Sequence, residues 1–158
     1  AWRRVGGYPE WLDYGEDVVF DLAMRREGCV FGWAPEAVAL FRPRSSLTSF
    51  WKQYFRYARG DGKAGLWPAR HLIRYGSYAG ALAFLLGSRK RWHLLMPLAL
   101  GAVFHLQRPY QRLLPRLGGL PPSDQAEAIA WVPIIRVVGD VAKMVGYPFG
   151  VAWRLRQK

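Results

Sequence analysis

The chain has 158 residues, with 23 Lys and Arg against 11 Asp and Glu, a formal net charge of +12. Such a surface draws nucleic acid, anionic lipid or phosphorylated substrates. At 51% hydrophobic and 15% aromatic residues the chain is too apolar for a disordered basic tail, and the balance moves from nucleic acid toward a membrane surface. Cys29 is the single cysteine, which excludes an intrachain disulfide and a Cys-based zinc site and reads as a small buried side chain.

In chain order, Ala1-Trp2-Arg3-Arg4 carries neither an initiator Met nor a signal pattern, so the start is either processed or internal to a longer protein. Gly6-Gly7-Tyr8-Pro9 reads as a turn, since two glycines allow positive φ and Pro9 stops a helix. Asp13-x-x-Glu16 has capping-box spacing. Val18, Val19, Leu22 and Ala23 then recur with helical period, and Gly28 stands where a C′ glycine ends a helix. Cys29 to Ala34 and Ala37 to Phe41 are β-suited runs on either side of Pro35-Glu36, expected as two short extended segments. After Arg42-Pro43-Arg44, Ser45 or Ser46 caps a second helix to about Arg59, which Gly60-Asp61-Gly62 ends in a flexible loop.

Beyond Trp67-Pro68 the character changes. Ile73 to Leu86 and Trp92 to Leu106 are nearly free of charge and are separated by Gly87-Ser88-Arg89-Lys90-Arg91. A spanning helix needs about 20 apolar residues, and neither run reaches that without its flanks. Basic residues sit at every end of both runs, which fits a re-entrant hairpin or interfacial helices better than two clean spans. Buried helices of a soluble core are the plainer reading. Ile129 to Leu155 carries Arg136, Asp140 and Lys143 at roughly one-turn spacing, suiting a helix in a membrane interface. Arg108 to Asp124, rich in Pro, Gly and Arg, reads as a linker.

Glu16 and Asp17 open the first helix, where unpaired amides and the macrodipole favour a charged carboxylate able to take a proton from an acceptor hydroxyl. Acids in first turns also stabilise helices with no chemistry attached. Gln53, Arg56 and Gly60 share one stripe of the second helix, and Lys52, Arg56, Arg59 and Lys63 an adjacent basic stripe suited to phosphate oxygens. The interleaved Phe50, Trp51, Tyr54, Phe55 and Tyr57 suit sugar stacking, a lipid headgroup layer or plain packing. His71, His93 and His105 lie far apart without nearby carboxylate or thiol partners and read as structural.

Gly6-Gly7-Tyr8, Glu16-Asp17, Arg42-Pro43-Arg44 and Gln53-x-x-Arg56-Tyr57, in that order, resemble the acceptor half of a family 2 glycosyltransferase. The resemblance implies an α/β chain: residues 1–66 as the C-terminal fragment of a GT-A (Rossmann-like) catalytic domain, and residues 67–158 as mainly α, membrane-associated helices. It implies Asp17 as catalytic base with Glu16 shaping its site, and Gln53, Arg56, Tyr57 and Arg59 at the donor–acceptor junction. Tyr57 stands where processive members carry Trp. The implied reaction is inverting transfer from a nucleotide sugar to a glycan or lipid-linked acceptor, at the cytoplasmic face of a plasma membrane such as a bacterial inner membrane. The family's divalent cation, Mg or Mn, is held by an Asp-x-Asp motif, which does not occur in this sequence. The expectation is therefore a piece that is inactive without a donor-binding half. The alternative is a non-enzymatic basic protein on anionic membrane. Nucleic-acid binding rests on charge and aromatics alone, and the basic residues flank apolar runs rather than forming one face.

Overall fold

The computed structural model describes residues 2–157, and among these every regular element is helical. The α-helices are α1 (Trp2–Val5), α2 (Glu16–Arg26), α3 (Leu47–Ala64), α4 (Pro68–Ser88), α5 (Leu95–Leu113) and α6 (Pro122–Arg156). Short 3₁₀ turns, Trp92–Leu94 and Leu114–Arg116, flank α5. The expected α/β, Rossmann-like fragment is overturned: no strand forms among the described residues. Cys29 to Ala34 and Ala37 to Phe41 are irregular. Strand propensity needs a partner strand to pair the backbone groups, and these runs have none. Val30, Trp33, Val38, Leu40 and Phe41 all stand exposed.

The glycines act in two ways. Gly28, at φ 72°, closes α2 as its position suggests: Cys29 N donates to Met24 O at 3.0 Å and Gly28 N to Arg25 O at 3.1 Å. Gly60 and Gly62, expected to end α3, instead lie inside it. The helix runs on to Ala64 and is closed by Gly65 (φ 71°), with Leu66 N bonded to Asp61 O at 2.8 Å. At its other end Ser46 caps α3, its Oγ accepting from Ser49 N at 3.2 Å. The expected capping box is absent. Gly15, in the left-handed region, precedes α2, and Asp13 is engaged elsewhere.

The chain divides into two compact units, one of Ala1–Pro68 with Ala142–Lys158, the other of Ala69–Val141. In the first, α3 meets the last part of α6 backbone to backbone. A Cβ on Gly62 would overlap the Tyr147 carbonyl oxygen, one on Gly146 that of Phe55, and one on Gly150 that of Arg59. Rings close the sides of this crossing: Trp11 stacks on Trp153 (centroids 5.7 Å, 10°), and Phe55 meets Phe149 at 5.8 Å. Lys63 Nζ sits 4.8 Å from the Trp153 ring and Lys143 Nζ 4.6 Å from that of Tyr54. Gly150→Ala should lower the unfolding free energy by about 1–3 kcal/mol, read as a lower urea midpoint, because a rigid helix backbone rather than a side chain must yield. Gly76→Ala, whose Cβ meets open space on α4, is expected to be neutral or slightly stabilising. Equal midpoints for the two variants would refute the close crossing.

In the second unit, α4, α5 and the first part of α6 surround a buried carboxylate. Asp140 (3% exposed) accepts from Arg74 Nε at 3.0 Å through Oδ1, and its Oδ2 takes Tyr78 Oη at 3.4 Å. His105 Nε2 and Arg136 Nε also lie near Oδ2, at 3.2 and 3.7 Å. Buried His71 contacts Arg74 Nη1 through Nδ1 at 3.1 Å. Burial, then the Asp140 charge, pushes the Tyr78 hydroxyl up to about 12. Burial and the Arg136 guanidinium push His105 down against the pull of Asp140, so its ring is neutral at pH 7. Its Nε2 cannot both accept from Arg136 Nε (3.2 Å) and donate to Asp140. Arginine always carries its proton, so the lone pair faces Arg136.

This polar centre bears on location. The apolar runs do form helices, but among the described residues no helix is long and apolar enough to cross a membrane. The expected plasma-membrane placement is corrected on that finding. Arg70 and Arg74 on α4, and Arg136, Asp140 and Lys143 on α6, interrupt the apolar character that the shorter runs suggest. The expected linker from Arg108 is also corrected: α5 continues to Leu113, and α6 begins at Pro122.

Candidate functional site

The site is built where the Asp13-Tyr14-Gly15 loop crosses α3. Gly60 lets the loop reach the helix, since a Cβ there would overlap the Tyr14 carbonyl oxygen. Positions 53, 56, 60 and 63 fall on one helical stripe, and the loop engages it residue by residue. Asp13 Oδ1 accepts from Lys63 Nζ at 2.8 Å, and Asp13 Oδ2 pairs with Arg59 Nη2. Tyr14 Oη accepts from Arg56 Nη1 at 2.7 Å. Partial burial raises the Asp13 carboxyl, but the Lys63 hydrogen bond and the Arg59 charge outweigh it and hold the group below its ordinary value.

The network then continues along the helix. Gln53 Nε2 donates to Tyr57 Oη at 2.8 Å, and Gln53 Oε1 accepts from Arg44 Nε at 3.3 Å. Tyr57 lies edge-on to Tyr14 at 6.0 Å and to Tyr54 at 6.1 Å, with Phe50 against Tyr54 at 4.4 Å. Three separated pieces of sequence thus meet: the Asp13-Tyr14 loop, Arg44 of the Arg-Pro-Arg run, and Gln53, Arg56 and Tyr57 of α3.

Of the six site residues expected from the sequence, Gln53 and Tyr57 bond each other directly, and Arg56 joins them through Tyr14. Arg59 is occupied by Asp13 and props the loop. The basic stripe expected to grip phosphate is thereby largely committed inside the molecule, with Arg56 on Tyr14 and Arg59 and Lys63 on Asp13. Glu16 and Asp17 open α2 immediately after the loop. Asp17 is exposed and its Oδ1 accepts from Val18 N at 2.8 Å, while Oδ2 bonds no described residue.

Tyr14 and Arg44 were missed as members of the network. Both sit inside motifs already singled out, so their position was visible and their partners were not. Among the described residues no group of three or more His, Cys, Asp or Glu side chains could hold a metal ion. The residues present therefore do not fit the divalent cation that the family resemblance implies.

No family model matches the chain, and no solved structure does. Over 63 residues it is 32% identical to the succinoglycan biosynthesis protein ExoA of Rhizobium meliloti, a stretch covering 40% of this chain and 19% of that protein. The chain thus spans less than a fifth of the length of the curated relative it matches.

Proposed function

We propose that this chain is the acceptor-side part of an inverting glycosyltransferase of polysaccharide biosynthesis. In it Asp17 takes the proton from an acceptor hydroxyl as that oxygen attacks a nucleotide sugar. The observation that carries the reading is the convergence of Tyr14, Arg44, Gln53, Arg56 and Tyr57, with Tyr14 standing two residues ahead of the helix that Glu16 and Asp17 open. Similarity to a protein of succinoglycan biosynthesis supports it from outside the site.

The chemistry follows from the side chains. Asp17 keeps one oxygen bonded to its own helix, and on this exposed residue the other would take the substrate proton as a base. Gln53 and Tyr57 hold each other, which fixes the amide and hydroxyl that would contact sugar hydroxyls at the donor–acceptor junction. Arg56, seated against Tyr14, would orient Tyr14 and present its remaining guanidinium donors to the donor's phosphate oxygens. Glu16 would shape the mouth of the site. Arg59 would act through Asp13 as a positioning residue.

The test is sugar transfer by the full-length enzyme containing this chain, assayed with a panel of nucleotide sugars and acceptor glycans. Arg56→Lys keeps the charge but loses the planar fork, and is expected to lower transfer by about 10- to 100-fold, since roughly 1.5–3 kcal/mol attaches to a charged hydrogen bond. Transfer unchanged in Arg56→Lys would remove the α3 network from the site. Absence of transfer with every donor would overturn the enzymatic reading.

A further inference from the structure

Within the unit of Ala69–Val141, three side-chain atoms form a triangle with conflicting demands. His105 Nε2 lies 3.2 Å from Asp140 Oδ2 and 3.2 Å from Arg136 Nε, and the latter two are 3.7 Å apart. A hydrogen bond to Asp140 needs a proton on Nε2, whereas one from Arg136 needs a lone pair there. The nitrogen serves one neighbour at a time, and the charge of the ring decides which.

The surroundings decide which corner can move. From α4, Tyr78 meets the His105 ring edge-on at 6.1 Å, and its hydroxyl donates to Asp140 Oδ2 at 3.4 Å. Arg74, also on α4, holds Asp140 Oδ1 at 3.0 Å and contacts His71. From α6 come Arg136 and Asp140 themselves, and along α5 the charges that follow His105 are Arg108 and Arg112. Asp140 is therefore fastened to α4 through Arg74 and Tyr78. Arg136 is held less firmly: its side chain is 42% exposed, against 14% for Arg74 and 4% for Asp140. It also lines an opening of about 830 Å³, beside Gln107 and Gln111, into which its guanidinium can turn.

We infer that this triangle is an acid-operated latch between α5 and α6. A proton taken from solvent onto His105 Nε2 is donated to Asp140 Oδ2, the hydrogen bond from Arg136 is lost, and Arg136 turns into the opening. Charge drives the exchange. With the neutral ring Asp140 faces the guanidinium groups of Arg74 and Arg136; a charged ring adds a third cation to one carboxylate, and the departure of Arg136 restores the count. Burial and Arg136 oppose the charging of His105, so the latch is closed at pH 7. The unfolded chain takes that proton more readily, so stability present above the ordinary histidine value of 6.5 is lost as pH falls below it. None of these residues belongs to the Asp17 site, so the inference stands apart from the transferase reading.

The test is a pH titration of the full chain by nitrogen-15 NMR, following the His105 ring nitrogens and the Arg136 Nε–H together. Both should move with one midpoint, Nε2 to the protonated position and the Arg136 Nε–H away from that of a hydrogen-bonded group. Arg136→Gln removes the opposing charge and should raise the proton affinity of His105 about tenfold. His105→Gln cannot become charged, and the Arg136 Nε–H should then hold its position over the same pH range. Arg89→Gln removes one positive charge from the α4–α5 connection and should leave both titrations unchanged. Three outcomes would overturn the inference: an Arg136 resonance that ignores the titration of His105, an equal response in His105→Gln, or unfolding of the chain before His105 is charged.

Discussion

On the glycosyltransferase reading proposed above, Asp17→Asn should reduce sugar transfer by about 10²–10⁴-fold while leaving the unfolding midpoint in place. The two halves of that expectation have separate grounds. Asparagine cannot take the acceptor's proton, so a base supplied only by Asp17 is lost outright. Its side-chain oxygen can still accept from Val18 N, the single bond Asp17 makes, and the position is exposed, so the fold has little to lose. Glu16→Gln provides the contrast. Glu16 is given a supporting place beside the site, so its loss should be several-fold smaller. Transfer retained in Asp17→Asn would take this residue out of the mechanism, and a collapse of transfer together with stability would make its role structural.

The largest effect on stability is expected at Asp140. Asp140→Asn keeps the shape and removes the charge, leaving Arg74, whose side chain is only 14% exposed, without its counter-ion. Breaking a buried pair from one side costs roughly 3–5 kcal/mol, and the lower end applies here because Arg136 and His105 remain partly solvated. Arg136→Gln, by contrast, removes a side chain that is 42% exposed and should cost less than about 1 kcal/mol. Urea unfolding of the two variants reads the difference directly. If both cost the same, Asp140 is not the centre that organises this unit.

What the sequence revealed, and what it hid, follows from the range of the interactions. The end of α2 at Gly28 and the Ser46 cap of α3 were legible because each is decided within a few residues. The stripe of Gln53, Arg56 and Gly60 was legible for the same reason. The partners of that stripe were not. Nothing local says that Arg59 and Lys63 turn to Asp13 rather than to a ligand, since their separations in sequence are 46 and 50 residues. Gly60 and Gly62 misled because glycine reads as a helix end, whereas here the missing side chains admit the Tyr14 and Tyr147 backbones. The β-suited run from Cys29 misled in the opposite sense: its side chains favour a strand, but pairing belongs to a second segment that the described residues do not supply. Asp140 could be placed on a helical face by spacing, but only the meeting of α4, α5 and α6 turns that face inward.

The glycine crossing of α3 and α6 has a consequence for the order of assembly. Gly62 and Gly150 are brought together across a loop that contains the whole Ala69–Val141 unit. Closing so long a loop costs entropy that is returned only once the contact forms, and such contacts are made late. During synthesis the residues that carry Tyr14, Gln53 and Arg56 leave the ribosome early, while Gly146, where α6 begins to brace α3, follows 90 residues after Arg56. The candidate site therefore cannot gain its rigid support as soon as its own side chains exist. It must wait, with Phe55 and Trp11 uncovered, until Phe149 and Trp153 arrive.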